Sequence, residues 1–285
     1  MNVREVLRHL PIERFRNPPP VVAVLRLDGV IGPRQWRSAL SLTSQAQTID
    51  RAFRVAHLAA VALAINSPGG SPVQSALLYR RIRQLAEEKK VPVFAFAEDV
   101  AASGGYWLAL AGDEIYAEEA SLIGSIGVVT GTFGVHRLIE RFGIERRLYT
   151  AGENKSLLDP FKPEDPEDVA RLSTLQRDIH DSFKEHVRRR RLGKIDAADD
   201  ELFSGAVLTG RMALARGLID GIGDLRSVMR ARFGDKVRLV PVTGQRRRRW
   251  WLPRLQPSAA REPWAPVADF LYWLEARALW ARFGL

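Results

Sequence analysis

The sequence predicts an α/β fold built on a largely parallel sheet. Short apolar runs rich in β-branched residues alternate with segments of helical periodicity. The first two runs end in Asp28-Gly29 and Asn66-Ser67-Pro68-Gly69-Gly70, and short buried strands alternating with helices imply parallel crossovers. The chain has 285 residues, 46% of them apolar, enough for a substantial core. Wholesale disorder is excluded.

Val21 to Leu27 reads as the first strand, closed by Asp28-Gly29. Before it, residues 1–20 form an arm with Arg4, Arg8, Glu13, Arg14 and Arg16, ending in Pro18-Pro19-Pro20. The arm lacks the apolar centre and small-residue cleavage site of a secretory signal. Val61 to Ile65 is the second strand, stopped by Asn66-Ser67-Pro68-Gly69-Gly70. A helix follows, with Val73, Leu77, Leu78, Ile82 and Leu85 expected on one face. Val91 to Ala97 is the third strand, and Ser103 to Ala111 is helical. Further short strands are expected at Ile115 to Ala117, Ile126 to Thr130 and Arg146 to Thr150. A long helix starts at Pro166 or Glu167, carrying Leu172, Leu175, Ile179 and Phe183 at helical spacing. Residues 201–225 read as a short strand, a helix over 211–216 and a turn back to the sheet. A four-part organisation follows from these signals: an arm over 1–20, a domain over 21–240, a basic linker with Trp and Pro over 241–265, and an amphipathic helix over 266–285.

The formal charge is +10. From Arg246 to Leu285 there are 8 Arg against 3 acidic residues, so half of the excess lies in the tail, with five of the seven tryptophans. No recognition motif accompanies this charge, and a nucleic-acid partner is not expected. In the terminal helix Val267, Phe270, Leu271, Leu274, Ala278 and Ala281 would share a face, flanked by Trp273 and Trp280. With Arg246 to Arg249 in front, residues 246–285 suit either peripheral contact with anionic lipid or packing on a neighbouring subunit. No uncharged apolar run approaches a membrane span. Peripheral membrane association or a cytoplasmic location is the expectation.

No Cys occurs, which excludes disulfides, thiolate metal sites and a cysteine nucleophile. His9, His57, His136, His180 and His186 are scattered, and His180 and His186 lack the i, i+4 spacing of a zinc pair. No metal or cofactor is expected. The glycines at 124, 127, 131 and 134 lack the Lys-Ser/Thr ending of a phosphate loop. Asn66 to Pro72 can present bare amides at Gly69 and Gly70 to an oxyanion, or form a tight turn capped by Ser71; both can hold together. Ser103, in Ala101-Ala102-Ser103-Gly104-Gly105-Tyr106, stands at a strand-to-helix junction either as a nucleophile or as a plain helix cap. Ala101 replaces the first Gly of a G-x-S-x-G elbow. Lys155, in a loop that turns apolar at Leu157, Leu158 and Phe161, is a weak signal alone.

In their order, these segments resemble the signal peptide peptidase A family, SppA/SohB-like Ser/Lys serine peptidases of the ClpP/crotonase-like fold. The matching stretches are 66–70, 101–106, 121–128, 152–161 and 210–220, and the likeness spans about Val21 to Gly234. The resemblance implies repeated β-β-α units, Ser103 as nucleophile and Lys155 as general base. It also implies an oxyanion hole from Gly69 or Gly70 with Gly104, Ser125 on the lysine, and peptide substrates such as membrane-derived or signal peptides. A homo-oligomer with active sites at subunit interfaces is implied as well. An ordinary lysine of pKa near 10.4 is neutral in only about one molecule in 2,500 at pH 7, so Leu157, Leu158 and Phe161 are expected to desolvate the amine. A catalytically silent scaffold of the same fold and a crotonase-type acyl-CoA enzyme are the rival readings. Retention of both Ser103 and Lys155 argues against the first, and the second would not need the pair.

Overall fold

The computed structural model describes residues 18–32, 39–152, 154–196, 198–243, 273–274 and 276–284. Among the described residues eight strands form one sheet: β1 (Val21–Asp28), β2 (Leu58–Ser67), β3 (Val93–Ala102), β4 (Glu114–Ala117), β5 (Leu122–Gly124), β6 (Val207–Thr209), β7 (Gly221–Ile222) and β8 (Arg238–Val242). The central order is β6-β5-β3-β2-β1-β8, with β4 beside the first half of β3 and β7 beside β4. Every pairing is parallel except β5 with β6.

Alternation along the central strands divides the apolar residues between two layers. Ala23, Leu25 and Leu27 of β1, Val61, Leu63 and Ile65 of β2, and Val93, Ala95 and Ala97 of β3 face the larger core. That core is covered by α1 (Leu42–Ala52), α2 (Pro72–Lys89), α3 (Gly104–Ala109) and the far half of α5 (Pro166–Arg190). Val22, Ala60, Ala62, Phe94 and Phe96 point the other way, against Met229 of α7 (Leu225–Phe233). Both faces of β2 are covered, which is why its sequence is apolar almost throughout. Two further helices are α4 (His136–Arg141) and α6 (Gly210–Ala215), with a 3₁₀ turn at Asp200–Phe203.

Several local expectations are corrected. The strand expected over 126–130 is instead Leu122–Gly124, which has β3 on one side and β6 on the other. Residues 146–150 are exposed and unpaired with any described strand. β-branched residues alone do not make a strand without a neighbour for their backbone groups. Val73 is 64% exposed, and Ser75 joins Leu78, Ile82 and Leu85 on the buried side of α2. Leu175 and Ile179 of α5 lie open to solvent in the protomer, whereas Phe183 and Val187 are buried.

No helix among the described residues is long and apolar enough to cross a membrane. The linker over 244–265 lies outside the described residues. At the C-terminus, residues 276–281 are helical, but their inward side is not the expected one. Ala276, Leu279, Trp280 and Phe283 are half-buried, whereas Leu274, Ala278 and Ala281 are exposed. Phe283 lines a cavity of about 870 Å³ with Arg26, Phe96, Leu122 and Leu225. Val267, Phe270 and Leu271 fall outside the described residues.

Candidate active site

The carboxyl ends of β2 and β3 bring two of the sequence motifs together. Gly69 (φ +100°) packs so closely on the other loop that an added Cβ would stand 2.8 Å from the Cβ of Ser103 and 2.8 Å from the nitrogen of Gly104. No larger residue fits. The backbone of residues 69–71 is strapped to Ile31 just past β1: Ile31 N–H donates to Gly69 O at 2.8 Å, and Ser71 N–H donates to Ile31 O at 2.8 Å. Ser67 Oγ accepts the Gly69 N–H at 3.2 Å. The N–H groups of Gly70 and Gly104 take no part in these loop bonds, and a Cβ added at Gly104 would lie 3.4 Å from the nitrogen of Gly70.

Ser103 occupies the N-cap position of α3, yet its side chain caps nothing. Its φ of +52° and ψ of −122° are far from the extended conformation that lets a cap hydroxyl reach back to the helix. A non-glycine residue held there costs about 1–3 kcal/mol and persists only when its surroundings enforce it. They do: Ser103 N–H donates to Gly124 O at 2.8 Å, and Ser103 O accepts Trp107 N–H at 3.0 Å. The hydroxyl is left half-exposed and uncommitted. By contrast Ser71 does cap its helix, accepting from Gln74 N–H, with Pro72 in the first turn. Gly105 comes so near the preceding strand that an added Cβ would lie 2.4 Å from Ser67 O. Small residues therefore let the Ser103 loop sit directly on the Ser67 to Gly70 turn.

Ser125 is buried, has a φ of +50°, and donates its N–H to Ala206 O at 2.8 Å, fixing the strand end that receives Ser103 N–H. Ser103, Gly69, Gly70, Gly104 and Ser125 thus all lie just past the carboxyl ends of β2, β3 and β5. Lys155 is not gathered with them. It is exposed on the loop between α4 and α5, and among the described residues no hydrogen bond links it to Ser103 or Ser125. The expected apolar surroundings are also missing within the protomer: Leu157 is 36% and Phe161 40% exposed. The reason is topological, because residues 129–165 leave the sheet and rejoin it only through α5, and most of them are exposed. The loop has its own order nonetheless. Arg146 pairs with Asp159 and lies 4.7 Å over the Phe161 ring, and Asp168 accepts Leu158 N–H at 3.1 Å. The Arg146 pairing and the Phe161 N–H hold the Asp159 carboxyl below the usual range.

Sequence patterns gave no hint of Ile31 or of Ser67 Oγ. Their contributions are backbone contacts and a short-range turn bond, which leave no periodic trace. Two of the histidines stand where plain packing puts them: His180 Nε2 is 3.0 Å from Ile126 O, and His186 is buried beneath α3. Among the described residues, no group of three or more His, Cys, Asp or Glu could hold a metal ion.

The model of peptidase family S49 matches residues 85–236. The chain is 35% identical over 213 residues to the serine protease SPPA, chloroplastic, of Arabidopsis thaliana, covering 72% of this chain and 31% of that protein. It is 49% identical over 292 residues to a Brucella abortus protein named Na(+)/H(+) antiporter NhaA, covering 98% of this chain but only 39% of that protein. The chain thus spans about two fifths of the length of that relative. A solved 1510-N membrane-bound stomatin-specific protease mutant, in complex with a substrate peptide, superposes with a TM-score of 0.51 at 15% identity, covering 90% of this chain and 99% of that one. That likeness establishes the architecture, a ClpP/crotonase-like fold.

Proposed function

This chain belongs to peptidase family S49, and from that membership we propose that it is a serine endopeptidase acting through Ser103 and Lys155. The observation that carries the reading is the Ser103 hydroxyl, held at positive φ, free of any capping bond, and seated against Gly69 and Gly104. In the proposed reaction Ser103 Oγ attacks the peptide carbonyl carbon while neutral Lys155 takes the hydroxyl proton. The oxyanion is met by the N–H groups of Gly70 and Gly104. Collapse of the tetrahedral adduct breaks the C–N bond, and Lys155 passes its proton to the leaving amine. Water, with Lys155 again as base, then hydrolyses the acyl-serine and restores the enzyme.

The lysine must reach this end of the sheet and lose its hydration. We assign both to a second copy of the chain closing over the arm that carries it, since Phe133, Phe142 and Tyr149 are 86%, 70% and 89% exposed there. Ser125 is proposed to hold the amine through its hydroxyl. Membrane-derived or signal peptides are the proposed substrates, a class favoured by the apolar character of the arm. The antiporter name belongs to a longer protein, and the part shared with it contains the S49 match. No transport role is carried over.

The test is labelling by a fluorophosphonate probe. Wild type should be labelled and Ser103→Ala silent, and Lys155→Ala should react at least about a hundredfold more slowly, the lower range for a lost general base. Labelling that persists in both variants would remove the assignment.

A further inference from the structure

Strand β3 does not run straight to Ser103. Its register with β2 is regular from Val61 opposite Val93 to Ile65 opposite Ala97, then jumps so that Ser67 faces Ala101. Two steps along β2 (65 to 67) oppose four along β3 (97 to 101), so two extra residues bulge out beside Asn66. A bulge leaves backbone groups without ladder partners, and Asn66 supplies one. Its Oδ1 accepts Val100 N–H at 3.2 Å, and its Nδ2 donates to Asp99 Oδ2 at 3.0 Å. The Asn66 carbonyl meanwhile accepts Gly29 N–H at 2.9 Å, tying the end of β1 to the same point. The other bulge residue is held independently. Arg26 grips the Glu98 carboxylate with bonds of 2.9 and 2.7 Å, and Ser121 Oγ donates to Glu98 O at 2.5 Å.

The bulge matters because of what lies five residues on. At about 3.3 Å per residue, two residues without the bulge would carry Ser103 about 7 Å further along the sheet, past Gly69. With it, Ser103 Cβ falls against Gly69. We infer that Asn66 is a positioning residue for peptide hydrolysis, its paired bonds to Val100 and Asp99 locking the bulge that sets Ser103 in register with the Gly70 and Gly104 amides. The inference rests on Ser103 being the nucleophile.

An exchange of side chains tests it in the full chain. Asn66→Asp keeps an acceptor for Val100 N–H but removes the donor to Asp99 and sets two carboxylates together. Fluorophosphonate labelling should slow by about 10- to 100-fold, the scale of an ångström-sized misplacement, and peptide turnover should lose kcat rather than gain KM. Combining Asn66→Asp with Asp99→Asn swaps amide and carboxylate, restoring both bonds, and labelling should return to within about threefold of wild type. Unchanged labelling in Asn66→Asp overturns the inference. So does a double variant that does not fold, or that folds but labels no faster than the single one. Should Asn66→Asp itself fail to fold, the double variant decides by its labelling rate alone. Ser103→Ala separates the two levels: if it labels like wild type, the serine assignment fails, whereas a silent Ser103→Ala beside an unaffected Asn66→Asp removes only the role of Asn66.

Discussion

Asp220 shows how a single residue near the site can be structural. It ends the Gly217-Leu218-Ile219-Asp220 segment, each part of which secures a neighbour. Gly217 O accepts Arg191 Nε at 2.8 Å, and Leu218 O accepts the Tyr106 hydroxyl at 2.7 Å. Burial pushes the Tyr106 hydroxyl pKa up, so it stays a donor. The Asp220 carboxylate takes Arg191 at 2.7 Å, Lys194 at 2.6 Å and Ile115 N–H at 2.8 Å. Burial alone would raise its pKa, but the bonds from Arg191, Lys194 and Ile115 outweigh that and hold it below the usual carboxylate value. Its contribution to stability is therefore present above the unfolded pKa and lost as pH falls through the folded one. Arg191 is only 2% exposed, so removing its partner strands a buried cation. Asp220→Ala should cost about 3–5 kcal/mol, the range for breaking a buried pair, read from urea unfolding at pH 7. A loss under 1 kcal/mol would show the pair to be dispensable.

At the scale of elements, α3, α2 and α5 meet around His186. Its ring stacks on Trp107 at 4.9 Å and meets Tyr79 edge-on at 4.3 Å, while Phe183 stacks on the same tryptophan at 4.7 Å. Arg189 lies 3.0 Å from Nδ1, so the ring proton sits on Nε2, which is buried without a partner. Burial first, then Arg189 and Arg190, push the His186 pKa down to about 3. The unfolded chain binds this proton near pH 6.5 and the folded chain does not. His186 thus penalises folding below pH 6.5, by up to about 1.4 kcal/mol per pH unit until pH nears 3. His186→Phe should flatten the stability profile between pH 6 and pH 4 by about that slope; parallel profiles in urea titrations would refute it. These contacts also explain what the sequence could convey. Phe183 declared itself by helical spacing, and the central strands by continuous apolar runs. Residues 126–130 and 146–150 did not, because a strand exists only where a neighbour offers hydrogen bonds. α1 was silent because only Thr48, Ile49 and Ala52 are buried along its eleven residues.

For the whole molecule, half of the proposed site was legible and half was not, for a physical reason. Ser103, Gly69, Gly70 and Gly104 lie where strands end, so motif order and fold class locate them together. The proposed position of Lys155 depends on an arm on which Phe133, Phe142 and Tyr149 are largely exposed, and no local pattern specifies what covers a surface. Phe133, Phe142 and Tyr149 are large apolar side chains exposed along one arm, and their proposed partner is a second copy of the chain. If a second copy covers them, it supplies the dry environment that a neutral lysine requires, and activity becomes a property of the assembly. Two consequences can be measured. Tyr149→Asp with Phe142→Asp should dissociate the protein in analytical ultracentrifugation and abolish probe labelling together, because burying either charge without a partner is strongly unfavourable. Mixing inactive Ser103→Ala with inactive Lys155→Ala should restore labelling where subunits exchange, since some interfaces would then pair an intact serine with an intact lysine. Labelling that survives dissociation would place the lysine within its own protomer, and a mixture that exchanges subunits yet stays silent would exclude a site shared between chains.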